Sequence, residues 1–364
     1  MRLRALAAIL LPVIICSAAL TGCSSTELEE RNFPLAAYVD ITDEGYKMQL
    51  GFEQLKDVSS DGSDKENNTS ADATGTDGYA LFQEAQTSYP GEMDYNHMKA
   101  LILGEALIED DAKRTELLSY LEKQNVIARN TLLFVSSEDM CDMMGMQEKL
   151  KEAVGTYLDT LIASDKQLKD RAAVTLGSMF QAQHNNDENL WIPYLTLGEE
   201  EILFSDYYLM QGKRAKGILS RQTGEAALLS EHKLQEYAYV LEDGAAIRLS
   251  NFQCEYALET QDSPNAEQPL TEVIRIRAEA KRMDQRMETV EDQKELQQQA
   301  QRQMEQWMQQ QADLLAQADV DISNSYYRLG GYGREVYDDY QNDWQGYRRD
   351  LNIRFEWEVR PVSR

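Results

Sequence analysis

The chain has 364 residues, 42% of them hydrophobic, and sets 36 Lys and Arg against 63 Asp and Glu for a formal net charge of −27. That apolar content can bury real cores, so the chain is not globally disordered, and its length allows two or three domains. The acidic balance excludes duplex nucleic acid as a partner, because phosphate binding needs a basic surface, and it argues against electrostatic attachment to anionic lipid.

The first segment opens with Arg2 and Arg4 and continues as an apolar run from Leu6 to Leu20, interrupted by Pro12. A bilayer span needs roughly 20 residues. This run is shorter and fits the apolar region of a signal peptide. It leads through Leu20-Thr21-Gly22 into Cys23, the pattern of a bacterial lipoprotein signal. A thiol at the cut takes a thioether-linked diacylglycerol, and cleavage then frees its amine. Residues 1–22 are therefore read as a signal peptide. Cys23 is read as the lipidation site that holds the mature chain on the outer face of the cytoplasmic membrane. Losing Arg2 and Arg4 takes the formal charge from −27 to −29. Cys16 leaves with the signal. Cys141 and Cys254 either pair, as that compartment permits, or serve as small buried hydrophobes.

Downstream, Phe33–Asp40 and Gly45–Gln54 read as strands of a hairpin, with Asp43-Glu44-Gly45 as its turn. Residues 57–78 are rich in Ser, Asp, Asn, Thr and Gly and read as a flexible surface loop. Ala100–Gly104 and Thr131–Ser136 read as strands. Ala112–Lys123, Met146–Ala163 and Ala172–Gln183 read as helical segments by apolar spacing. Ile202–Met210 is a strand, and Gly217–Leu229 is read as a further one. Ala246–Leu258 and Val273–Ala280 alternate as half-buried strands. Thr289–Ala318 is one long helix with an apolar stripe of Leu296, Ala300, Met304, Trp307, Met308, Leu314 and Leu315. At the end, Leu351, Ile353, Phe355, Trp357 and Val359 alternate with polar residues, as in a strand buried on one face. The fold class is α+β, multi-domain, with mixed and antiparallel sheets, packed helices and a long helix near the C-terminus.

No residue pattern points to catalysis. His97, His184 and His232 stand apart and at no metal spacing. Gly330-Gly331-Tyr332-Gly333 lacks the Lys and Ser/Thr of a phosphate loop. Asp319-Val320-Asp321-Ile322-Ser323 starts like a calcium loop, but Asn324 and Gly330 stand where that loop needs Gly and Glu. Met140, Met143, Met144 and Met146 flank Cys141 and read as core residues at a helix entry. The chain is expected to be no enzyme and to need no cofactor and no metal.

The order of segments resembles the Ger(x)C family of spore germination lipoproteins, the C subunits of germinant receptors. After Cys23, the stretch from Glu27 to Ile41 is similar to the family's acidic opening and first strand. Asn96 to Glu105 resembles its His-Leu-Lys strand running into Gly-Glu, and Arg129–Val135 the strand that follows. Phe204–Leu229, with Gly217-Ile218-Leu219, is similar to its hairpin before a Gly-Trp-Leu element. Asp321-Ile322, Gly330, Trp344 and the terminal strand resemble its C-terminal ending. Ser24 and Ser25 stand where the family has Trp, and Asp321-Ile322-Ser323-Asn324 departs from its Asp-Ile-Phe-Gly. The resemblance implies α+β domains, no enzymatic activity, and work beside two integral membrane subunits, A-type and B-type, in the spore inner membrane. It divides the chain into residues 23–195, with two subdomains, and 196–364. The alternative is an extracytoplasmic solute-binding lipoprotein of a transporter. For a partner surface, the candidates are Tyr326, Tyr327, Tyr332, Tyr337 and Tyr340, because tyrosines give contact area at interfaces.

Overall fold

The computed structural model describes residues 31–53, 70–164, 170, 173–185, 188–261, 267, 269–283 and 289–361. The expected signal segment and Cys23 lie outside the described residues. A short parallel pair, β1 (Arg31–Asn32) and β5 (Glu92–Met93), lies beside the main N-terminal sheet.

That sheet has eight strands in the order β10-β9-β8-β7-β6-β2-β3-β4. They are β2 (Ala36–Thr42), β3 (Gly45–Gly51), β4 (Ser70–Gly75), β6 (Ala100–Gly104), β7 (Leu132–Ser136), β8 (Asn189–Leu197), β9 (Ile202–Gln211) and β10 (Arg214–Leu219). The β2–β3 hairpin forms as expected, turning at Gly45 with φ of 131°, a conformation glycine adopts without steric cost. Its centre, β2-β6-β7-β8, is parallel, and the outer pairs are antiparallel. Parallel strands are covered on both faces and read as continuous apolar runs. In β6 and β7 every residue is buried. Ala37, Val39, Leu101 and Leu133 enter one core, and Ala36, Tyr38, Ile102 and Phe134 the other.

Helices cover these faces: α1 (Gly78–Ser88), α2 (Glu105–Glu109), α3 (Asp111–Gln124), α4 (Met140–Leu150), α5 (Val154–Ser164) and α6 (Leu176–His184). The four methionines of α4 are buried in the second core, as expected, while Cys141 is exposed and unpaired. Cys254 is half-buried and also free.

Three readings of single elements change here. Part of the 57–78 tract is regular structure: Ser70–Gly75 is β4, paired with β3, with Ala71 and Ala73 buried. Asp77 then caps α1 by accepting from the Ala80 N–H at 2.8 Å. The helix expected over Met146–Ala163 is two helices, because Lys151 takes the left-handed conformation with φ of 59° and ends the first. The strand expected over Gly217–Leu229 is a strand end followed by α7 (Arg221–Ser230), whose start is capped by Ser220 accepting from the Thr223 N–H. The line expected at 195/196 falls within β8, and β9 and β10 continue the same sheet.

The second sheet runs β11 (Glu236–Val240), β12 (Ala246–Thr260), β13 (Leu270–Arg282), β14 (Leu351–Pro361). Its first two pairings are antiparallel, and β13–β14 is parallel. A bulge in β12 at Asn251, φ of 56°, moves the inward phase from Ile247 and Leu249 to Phe252 and Cys254, as one inserted residue must. The long helix α8 (Val290–Gln317) packs Leu296, Ala300, Met304, Trp307, Met308 and Leu315 onto this sheet. Leu314 is not in the stripe; it is 53% exposed, one position off the heptad spacing that places Leu315 inward. Trp191, Tyr207 and Leu209 of the first sheet join the same cluster, so the two sheets share a continuous core. Among the described residues, no helix is long and apolar enough to cross a membrane.

Candidate functional site

The most unusual chemistry lies where α8 hands over to the C-terminal strand. Short helical pieces fill that corner: a 3-10 turn at Ser325–Arg328, α9 (Leu329–Tyr332), α10 (Arg334–Tyr340) and α11 (Trp344–Asp350). Local sequence dictates the turn at its head. Asp321 is followed by Ser323 and Ser325, and its carboxylate accepts from both backbone N–H groups and both hydroxyls. Such Asx-type bonding favours a turn over a continued helix.

This turn also ties the two sheets together. The Asp321 carbonyl accepts from Asn189 Nδ2 of β8 at 2.7 Å, and the Ile322 carbonyl from Ser230 Oγ of α7 at 2.8 Å. Behind it stands Glu272 of β13, fully buried. Arg328 Nη2 and Tyr332 Oη donate to the Glu272 carboxyl, and Ser323 Oγ lies in hydrogen-bond contact with it. The Arg328 guanidinium also lies over the Tyr256 ring, 4.0 Å from its centroid, and donates to the Ser323 carbonyl at 2.6 Å.

Burial, followed by the nearby Asp321 charge, pushes the Glu272 carboxyl above the usual carboxylate range, and Arg328 only partly offsets this. The hydrogen bonds agree. Ser323 Oγ has one proton but two carboxyl neighbours, Glu272 Oε2 and Asp321 Oδ1. A proton on Glu272 lets every contact be a bond. Burial likewise pushes the Tyr332 and Tyr347 hydroxyls well up. These groups hold a proton and fix a turn; no nucleophile–base pair opens onto a cavity among them.

The candidate tyrosines divide. Tyr332 is bound to Glu272. Tyr326 Oη donates to the Tyr340 carbonyl at 2.9 Å and its ring meets Trp344 edge-on at 5.1 Å. Tyr340 Oη donates to Asp350 at 2.8 Å. Only Tyr327, 58% exposed, and Tyr337, 42% exposed, offer their rings to solvent. Elsewhere, His184 pairs with Glu122 and His97 packs on Phe33, so these two do not converge. Asp319, expected beside Asp321 in any calcium loop, is largely exposed and faces Lys216 at 3.9 Å. No described group of three or more His, Cys, Asp or Glu is placed to hold a metal ion.

Sequence reading missed Glu272 and Arg328. The signal for Glu272 was its phase: Leu270, Glu272, Ile274, Ile276 and Ala278 share the inward side of β13. A carboxylate on an apolar face must find partners.

Comparison with known proteins agrees with the geometry. Residues 24–197 match the family described as the spore germination protein N-terminal domain. A crystal structure of the GerBC protein superposes with a TM-score of 0.58 at 11% identity, covering 89% of this chain and 96% of that one. No curated protein sequence matches. The α+β class and the mixed sheets stand as expected, and residues 24–197 identify a Ger(x)C-type spore germination protein N-terminal domain in this chain.

Proposed function

We propose that this chain is a non-enzymatic subunit of a spore germinant receptor and acts by binding the receptor's A-type and B-type integral membrane subunits. The observation that carries the reading is the family match over residues 24–197, joined to a GerBC-like fold over nearly the whole chain. In this reading Cys23 carries a diacylglycerol that holds the protein on the outer face of the spore inner membrane. The acidic body then stands off the lipid, since like charges repel it from an anionic surface. Contact with the membrane subunits needs an aromatic or apolar centre within that charged exterior. Tyr327 and Tyr337 supply it.

Deleting the gene tests the proposal. Nutrient-triggered germination should fail while sporulation stays normal, and crosslinks from the protein should land on two integral membrane subunits. Normal germination in a strain with no paralogue would overturn it. Crosslinks to a transporter permease alone would favour the solute-binding alternative. For the anchor, Cys23→Ala should abolish incorporation of a labelled lipid precursor and release the protein from membranes. A variant still labelled and membrane-bound would remove Cys23 from the scheme.

A further inference from the structure

Beside the buried corner, α8 and the segment from α11 into β14 line a groove of two adjacent cavities. One measures about 470 Å³ and is walled by Ala316, Asp319, Arg348 and Arg349. The other, about 180 Å³, is walled by Asp313, Ala316, Arg348 and Ile353. Ala316 and Arg348 border both, so the two lie side by side.

The charged side chains lining this groove are not paired with one another. Asp313 accepts from Gln309 Nε2 at 3.0 Å, Asp319 faces Lys216, and Arg349 Nε is paired with Asp350 at 3.0 Å. Arg348 has no hydrogen-bond or ion-pair partner among the described residues, and its Nε is buried without an acceptor. In a chain carrying 63 acidic residues against 36 basic ones, most arginines find a carboxylate. A guanidinium that the neighbouring carboxylates leave unpaired is a fork-shaped donor set that suits a carboxylate.

Shape and net charge narrow the ligand. From Gln309 to Ala316 the groove follows α8 for about 10 Å at 1.5 Å per residue, enough for about three residues of extended peptide. The surrounding surface is acidic and would repel a polyanion. We infer that the groove takes a short extended protein segment bearing a single Asp or Glu among neutral or basic residues, with that carboxylate on Arg348. The inference deepens the reading of the chain as a binding subunit and rests on it. It fails separately, since a peptide measurement on the purified protein does not depend on any germination phenotype.

The test uses the full-length protein in detergent at 0.15 M salt and a fluorescent, end-blocked Lys-Ala-Glu-Ala-Lys probe, read by anisotropy. Saturable binding is expected, at least tenfold tighter than for the same probe with Gln in place of Glu. Arg348→Gln should weaken binding at least tenfold, and Arg334→Gln, on the exposed face of α10 and outside the groove, less than twofold. The probe pair tests the inference on unaltered protein, so it stands even if Arg348→Gln misfolds. Equal binding of the two probes, no saturable binding, or equal loss in both variants would overturn it. So would full competition by glutarate at the probe's own affinity, which would make this a site for a small free carboxylate.

Discussion

The two sheets solve the same problem with different material. The centre of the N-terminal sheet is buried on both faces, and its stability rests on apolar contact on either side of each strand. The C-terminal sheet buries one face under α8 and leaves the other to solvent. There, cross-strand pairs such as Arg275–Glu356, Arg277–Glu358 and Arg277–Glu255 cover it. Exposed pairs of this kind contribute little each. Its inward face also admits a fully buried carboxyl, Glu272, whereas the carboxyl in the first sheet's centre, Asp40 of β2, is only partly buried and accepts from the Leu107 N–H. The difference teaches where each half tolerates change: nowhere along β6 or β7, but at every second position along β14.

Neighbouring residues test this most severely. Leu133 and Phe134 are adjacent in β7, face opposite cores and are at most 1% exposed. Leu133→Ala should cost about 2–5 kcal/mol and Phe134→Ala about 3–5 kcal/mol. In β14, Trp357→Ala should cost about 3–5 kcal/mol, whereas Arg354→Ala, on the solvent side, should stay within about 0.5 kcal/mol. Urea unfolding of the full chain measures all four. A cheap substitution at either β7 position, or a costly one at Arg354, would erase the contrast.

A smaller effect tests the polar insertion. Glu272→Ala strands two donors, on Arg328 and Tyr332, and should cost about 2–3 kcal/mol, since a buried partner left unsatisfied is expensive. Glu272→Gln keeps the shape of the neutral acid and gives a pH signature. Folding raises the Glu272 pKa above its ordinary 4.5, so the native state binds the proton more tightly than the unfolded chain. That contribution is fully present below about pH 4.5 and is lost as pH rises through the elevated native value. Wild type should therefore lose stability relative to Glu272→Gln as pH rises. A difference that stays flat from pH 4 to 8 would show that Glu272 holds no extra proton.

The same contrast explains what the sequence made legible. Period-two alternation appears only where one face is wet, so β12, β13 and β14 could be read directly. The central strand β8, Asn189–Leu197, went unread. Seven of its nine residues are buried without alternation, and Pro193 interrupts it, which argues against a central strand. The strand β4 hid because its inward residues are only Ala71 and Ala73 in a polar tract. Glycine did not mark the break between α4 and α5; Lys151 did it unaided. At the site, the tyrosines were visible by composition, but their roles depended on Glu272 and Asp321, whose burial is a tertiary fact.

The last prediction separates those roles. Tyr332→Phe removes a hydroxyl that donates to buried Glu272, and a hydrogen bond to a charged or acidic group of this kind contributes about 1 kcal/mol or more. Tyr327→Ala and Tyr337→Ala remove exposed rings and should change stability by no more than about 0.5 kcal/mol. If Tyr327 and Tyr337 form the centre of the partner surface, the double Ala variant should fold as wild type and yet lose crosslinking to the membrane subunits. Tyr332→Phe should do the reverse, melting earlier while crosslinking normally below its melting point. Normal crosslinking by the double variant would move the contact surface off this corner and leave the tyrosines as a cover for the polar knot.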